Sequence, residues 1–137
     1  MTTPLHSIEI QISFGHCDAA GIVFYPNYFR WFDRCFHTFL LDRLGGHAGL
    51  CAQLGARGIG LMHVDADFRS PGTDGDRFVL EMGAPRWSGR SLTLPYTGRI
   101  GTRILVEGIE TRGVFGERDG RMTALPVAPL REMIDAL

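Results

Sequence analysis

Lysine is absent: all 14 basic side chains in the 137 residues are arginine, and with 15 acidic ones they leave a formal net charge of −1. Such a balance provides no net field to gather nucleic acid or an anionic membrane, so neither is an expected partner. An anionic ligand must instead be held by particular arginines. Cysteine is scarce too. Cys17, Cys35 and Cys51 are odd in number, with no close pairing and no CxxC spacing, and the N-terminus carries no basic-then-apolar export signal. The expected home is a reducing cytoplasm. Long apolar runs are missing as well: charged residues or glycines interrupt each candidate before the roughly 20 residues that cross a bilayer. Without repeats, low-complexity stretches or linkers, one domain over residues 1–137 is expected, and the 45% apolar share is enough for its core.

What is present is a change of period along the chain. From His6 to Phe14 polar and apolar residues nearly alternate, with Ile8, Ile10, Ile12 and Phe14 on one side, which predicts a half-buried strand. Gly15 to Pro26 reads as an ordered loop with an apolar patch at Ile22, Val23 and Phe24, and Asn27 stands where a helix cap would stand. Between Tyr28 and Leu41 the polar positions Arg30, Asp33, Arg34 and His37 form one narrow stripe, so the spacing predicts a helix that must be enclosed on most sides. Gly45, Gly46 and Gly49 break it, and Leu50 to Leu54 fits one short helical turn. From Gly60 strand chemistry takes over. Met62, Val64, Ala66 and Phe68 alternate with His63, Asp65, Asp67 and Arg69; further strands fit Phe78 to Met82, Ser91 to Ile100, Arg103 to Phe115 and Arg121 to Leu125, with Asp119-Gly120 as a hairpin turn. Pro95 inside one of them argues for an edge or a bulge. Pro129 to Leu137 reads as a short terminal helix.

Chemistry points to the loop before the helix. A helix N-terminus offers unpaired N–H groups and partial positive charge, which can stabilise a carbonyl oxygen becoming an oxyanion. Asp18 lies in that loop beside the small residues Ala19, Ala20 and Gly21. Its carboxylate could attack a thioester carbonyl or activate water for the same attack. An aspartate before a helix is more often a turn former or a cap, and the residues alone favour that reading.

The segment FGHCDAAGIVFYPNYFRWFD, however, resembles the signature of the 4-hydroxybenzoyl-CoA thioesterase family. Phe68-Arg69-Ser70-Pro71 followed by Gly75-Asp76, then Arg112-Gly113-Val114-Phe115, then Gly120-Arg121 and a Pro126-to-Pro129 exit follow in that family's order, so the resemblance spans nearly the whole chain. It implies an α+β hotdog fold, an antiparallel sheet of about five strands wrapped around one long central helix. It implies an acyl-CoA thioesterase with neither metal nor other cofactor, assembled as a homodimer or homotetramer with active sites at subunit interfaces. Asp18 falls on the family's catalytic aspartate and Tyr25 on the residue whose backbone N–H binds the thioester oxygen. A partner subunit would complete the acyl pocket through the Gly58 to His63 stretch. Two departures, His16 where an acidic residue stands and Ala19 where a proline stands, bear on the preferred acyl group.

Other residues have quieter readings. His16 reads as a loop histidine with a structural hydrogen bond, and Cys17 as packing. His63-x-Asp65-x-Asp67 places three ligand-type groups on one strand face, but alternation turns them away from the core toward solvent or a subunit. Arg86, Arg90 and Arg99 flank a strand where the resemblance implies contacts to the coenzyme A phosphates, with Arg90 the first choice. Trp31, Phe32, Phe36 and Phe39 have core spacing, while Tyr28 and Trp31, near the helix start, border the expected pocket. The candidate set is thus Asp18 and Tyr25 for catalysis, and Gly21, Tyr28, Trp31, His63 and Arg90 for acyl-CoA binding. The expected substrate is an aryl-CoA of the benzoyl type. A non-catalytic acyl-CoA binding module and a hotdog hydratase or dehydratase using His16 are the alternatives.

Overall fold

The computed structural model describes residues 3–137. Contacts divide the chain into two compact units. The first gathers the chain up to Phe36 with Asp65–Ala84 and Pro95–Ile109; the second gathers His37–Val64, Pro85–Leu94 and Glu110–Leu137. The elements in chain order are β1 (His6–Gln11), a 3-10 turn (Phe14–His16), α1 (Pro26–Leu44), α2 (His47–Leu54), β2 (Gly58–Phe68), β3 (Arg77–Met82), β4 (Arg86–Trp87), β5 (Leu92–Ile100), β6 (Arg103–Arg118), β7 (Arg121–Leu125) and α3 (Ala128–Asp135). The sheet has seven strands, with the order β1-β3-β5-β6-β2 and with β4 added to β5 and β7 to β6. The expected five-strand sheet and long helix are therefore present, and the two extra strands are the shortest ones, β4 and β7.

In the first unit β1 pairs antiparallel with β3 from His6 opposite Met82 to Gln11 opposite Arg77, and β3 pairs with β5 from Val79 opposite Arg99 to Met82 opposite Tyr96. The buried face of these strands meets the first half of α1, where Phe32 stacks on Tyr96 with ring centroids 4.5 Å apart. The polar stripe of α1 behaves as its spacing predicts: Arg30, Asp33 and Arg34 are exposed, while Trp31, Phe32, Cys35 and Phe36 are buried.

Two boundaries and one burial pattern are corrected. The first strand ends at Gln11, and Phe14 stands in the 3-10 turn with 82% of its surface exposed. Alternation predicts an inward side chain only while the backbone stays extended, and the turn ends that. The helix starts at Pro26, not after an Asn27 cap. Proline suits the first helical position because its fixed φ matches and its missing N–H would have had no partner. On β2, Met62 and Phe68 are half-exposed rather than buried, because β2 is an edge of the sheet order.

The second unit takes the rest of α1, which stops when Gly45 turns to φ 80° and the Gly46 N–H reaches back to the Leu40 carbonyl at 2.8 Å. α2 is longer than the expected turn. Here β4 pairs with β5 through Arg86–Thr93 and Trp87–Leu92, and β6 pairs with β7 from Val114–Leu125 to Arg118–Arg121. Pro95 thus falls between the stretch of β5 that pairs with β3 and the stretch that pairs with β4. It needs no ladder N–H at that break, and its carbonyl accepts the Gly83 N–H at 2.8 Å. The position is an interruption inside the sheet rather than an edge.

Candidate active site

The loop carrying Asp18 is tied at each turn by backbone. The Gly21 N–H donates to the Asp18 carbonyl at 2.9 Å and the Asp18 N–H to the Ile22 carbonyl at 3.0 Å. Gly21 adopts φ 79°, a left-handed conformation suited to glycine. Cys17 and Val23 bridge across the loop, and Ile22 bridges to Thr73. The Val23 N–H donates to the Gly72 carbonyl at 2.9 Å, so the Asp18 loop leans on the segment that follows β2. Asn27, displaced from the cap, ties the loop to the helix instead. Its Nδ2 donates to the His16 carbonyl at 2.8 Å and its Oδ1 accepts from Arg30 at 2.8 Å.

A cleft of about 540 Å3 opens in the first unit. Asp18 lines it together with Ile22, Val23, Tyr25 and Tyr28 on one side and Phe68 through Gly72 on the other. Asp18 is exposed and accepts the Ala20 N–H on Oδ1 at 2.9 Å, so the turn-forming role and a place in the cleft coexist. Tyr25 immediately precedes α1, and among the described residues no backbone carbonyl accepts its N–H. Its own carbonyl accepts the Tyr28 N–H at 3.1 Å, within the first turn of the helix. A carboxylate and an unengaged N–H at the positive end of a helix therefore line the same cleft.

Tyr28 is buried to 4% exposure, its ring edge-on to Trp31 at 5.4 Å and tilted against Phe68 at 5.7 Å. Burial pushes its phenol up to about 12, with Asp76 and Cys17 adding to the rise and Arg103 opposing it. The opposite wall is held by Arg103, which donates to the Pro71 carbonyl at 2.9 Å and to the Ser70 hydroxyl at 3.3 Å. Arg69, at the cleft, has Asp67 and Glu107 each at 3.6 Å.

The structure thus brings Asp18, Tyr25 and Tyr28 together. Gly21 acts in the turn behind Asp18 and does not itself line the cleft. Trp31 is buried behind Tyr28, against His16 at 5.1 Å and Phe78 at 5.4 Å, so it backs the wall rather than forming it. His63 is exposed on β2 and belongs to the second unit. Arg90, also in the second unit, donates to the Ala124 carbonyl at 2.6 Å, and Arg99 is engaged with Glu81 at 2.5 Å. His16 accepts the Ser13 N–H on Nδ1 at 2.9 Å, which is the structural hydrogen bond expected of it. The wall from Arg69 to Gly72 was not among the sequence candidates. Its signal was the Phe68-Arg69-Ser70-Pro71 stretch, where a strand stops at a Pro-Gly pair.

Comparison with known proteins accords with this architecture. The thioesterase superfamily matches residues 20–107. The 4-hydroxybenzoyl-CoA thioesterase of Pseudomonas sp. strain CBS-3 is 28% identical over 127 residues, covering 88% of this chain and 90% of that protein. Among solved structures, a gentisyl-coenzyme A thioesterase is 26% identical with a TM-score of 0.75, covering 91% of this chain and 98% of its own. A 1,4-dihydroxy-2-naphthoyl-CoA thioesterase from Synechocystis is 18% identical with a TM-score of 0.79, covering 96% of each chain. The fold is the hotdog fold of these proteins.

Proposed function

Because this chain belongs to the thioesterase superfamily and is a thioester hydrolase, we propose that its cleft takes the coenzyme A thioester of an aromatic acid and releases the acid and coenzyme A. The observation that carries this is the placing of the Asp18 carboxylate and the unengaged Tyr25 N–H in one cleft. Aromatic walls from Tyr25, Tyr28 and Phe68 suit a flat acyl group. The relatives named for aryl-coenzyme A substrates support the same class.

The thioester oxygen would rest on the Tyr25 N–H, where the helix start stabilises the charge that develops during attack. In one route an Asp18 oxygen bonds to the acyl carbon, the C–S bond breaks to release the thiolate, and water cleaves the mixed anhydride to restore Asp18. In the other, Asp18 takes a proton from the attacking water and returns it to the departing thiolate. A single turnover with acyl-labelled substrate separates them, since only the first passes through label bound to protein.

Edge strand β2 leaves Leu61 and Met62 half-exposed, an edge that pairing with a second copy would cover. The proposed assembly is a homodimer or homotetramer whose sites lie at the interface, with His63 offered to the partner's substrate and Arg90 to the coenzyme A phosphates. Light scattering tests the assembly. The three free cysteines suit a reducing compartment such as the cytoplasm.

The deciding experiment follows thiol release from aryl and aliphatic acyl-coenzyme A with wild type and Asp18→Asn. The expected result is release by wild type and a loss on the order of 10³-fold or more in the variant. Equal rates in the two proteins would remove Asp18 from the mechanism. Binding without release in both would favour a binding module, and hydration of enoyl thioesters would favour the hydratase. His16 is already engaged through Nδ1, which leaves the hydratase without its acceptor nitrogen there.

A further inference from the structure

Gly72 has no side chain with which to fix its own place, yet its carbonyl accepts the Val23 N–H at 2.9 Å and so anchors the loop that carries Asp18. Its two neighbours are each held by a charged side chain. Arg103, the first residue of β6, donates through Nη1 to the Pro71 carbonyl at 2.9 Å and to the Ser70 hydroxyl at 3.3 Å. Asp76 Oδ2 accepts the Thr73 N–H at 3.0 Å and the Thr73 hydroxyl at 3.1 Å. Arg103 Nη2 and Asp76 Oδ2 lie 3.9 Å apart. These contacts close a ring that runs from Arg103 through Pro71, Gly72 and Thr73 to Asp76 and back, with the anchoring carbonyl at its middle.

One side of the ring is moored to the core. The Gly75 N–H donates to the Ile12 carbonyl at 2.7 Å and the Ile12 N–H to the Asp76 carbonyl at 2.8 Å, and Ile12 is fully buried. The other side faces the Asp18 loop, where Ile22 bridges to Thr73 and Val23 to Cys17. The Asp18 N–H in turn donates to the Ile22 carbonyl at 3.0 Å. Attraction between Arg103 and Asp76 is not what the ring contributes, because a pair whose side chains are 46% and 31% exposed adds little to stability. Two ties on either side of one peptide contribute direction instead, fixing where the Gly72 carbonyl points. Direction matters at this place, since a reacting group displaced by about 1 Å can lose on the order of 10²-fold in rate.

We propose that Arg103 and Asp76 are positioning residues: together they hold the Gly72 carbonyl, and through Val23 and Ile22 they set the Asp18 carboxylate relative to the Tyr25 N–H. Neither lines the cleft, and both act through the loop. The kinetic consequence rests on the hydrolytic reading above, whereas the hold on the loop does not.

The test follows thiol release by wild type, Arg103→Met, Asp76→Ala and the double variant on the aryl-coenzyme A thioester that wild type turns over fastest. Each single variant should lose about tenfold or more in kcat while KM stays within about threefold, with an unchanged circular-dichroism spectrum. A ring opened once has little left to lose, so the double variant should fall about as far as the more impaired single one rather than by the product of the two losses. Hydrogen exchange at the Val23 N–H, measured without substrate, gives a readout independent of turnover. It should quicken by about tenfold or more in each single variant while amides of the β3–β5 ladder keep their wild-type rates. A raised KM at unchanged kcat would mean that Arg103 acts on the bound thioester, and multiplied losses in the double variant would mean that the two side chains act separately. Either outcome overturns the proposal, as does a Val23 amide that exchanges at the wild-type rate. Should wild type release no thiol while the Val23 amide still quickens in the variants, the hydrolytic reading falls and the hold on the loop stands. Hydrolysis at full kcat in both single variants would do the reverse.

Discussion

Asn27 Nδ2 donates to the His16 carbonyl at 2.8 Å, and by that bond the first turn of α1 holds the loop that carries Asp18. Asn27 is buried, so the donor has little access to water if the bond is lost. Asn27→Asp keeps the size and removes the donor, placing a carboxylate against a carbonyl. We expect a stability loss of about 1–3 kcal/mol. Because the loop sets where Asp18 sits relative to the Tyr25 N–H, kcat should fall by about tenfold or more while KM changes less. Urea unfolding and steady-state thiol release check the two halves. A variant with lost stability but unaltered kcat would show that loop position does not depend on this bond.

Gly72→Ala probes the floor of the cleft. The added Cβ would approach Ile12 Cδ1 at 2.7 Å, the Tyr28 hydroxyl at 3.1 Å and Leu105 Cδ2 at 3.2 Å. Overpacking of this kind costs roughly 1–3 kcal/mol. Since Gly72 also accepts the Val23 N–H, the shift should reach the Asp18 loop and raise KM for aryl thioesters. Thermal melting and substrate titration measure both, and a variant as stable as wild type would mean that Ile12 moves aside freely.

The parts of the fold that could be read from sequence are those where one rule acts alone. The single polar stripe of Arg30, Asp33, Arg34 and His37 left α1 only one orientation. Phe14 could not be placed, because its direction depends on a 3-10 turn that alternation does not foresee. Met62 read as core because nothing in its own strand says that the strand is an edge. Asp18 was visible only through a long motif. Its cleft is closed by Arg69 to Gly72, residues distant in sequence and brought near by the Ile22–Thr73 bridge, a pairing with no local signature. Glu110 and Arg112 were missed as core for another reason: charges two apart on a strand read as a solvated face unless they pair with each other.

That pair gives a stability prediction confined to the second unit. Arg112 Nε and Nη2 meet Glu110 Oε1 and Oε2, each at 3.0 Å, with both side chains at 2% exposure or less. Arg112 also reaches the Ile59 carbonyl at 3.4 Å, joining β6 to the edge strand β2. Arg112→Met alone should cost about 3–5 kcal/mol, because Glu110 then stays buried without the guanidinium that neutralises it. Arg112→Met with Glu110→Leu should recover most of that loss. Chemical unfolding of the two single variants and the double variant forms the cycle. If the double variant is no more stable than Arg112→Met, the cost does not lie in the carboxylate left behind.

Tyr28 predicts a change at the alkaline end. Burial is the main cause that raises its phenol to about 12 from the ordinary 10.0, so the folded protein favours the neutral form. Below pH 10 the phenol is neutral in both folded and unfolded chains, and its contribution is fully present. Between about pH 10 and about pH 12 the unfolded chain releases the proton while the folded one retains it, so stability is lost as pH rises through that window. Tyr28→Phe has no proton to release and lacks this loss. Urea midpoints measured at about pH 9 and about pH 11 should therefore fall further for wild type than for Tyr28→Phe. All other groups are common to the two proteins and cancel in the difference. Equal falls would mean that the Tyr28 oxygen ionises as freely in the folded cleft as in the unfolded chain, and hence that the cleft admits enough water to hydrate a phenolate there.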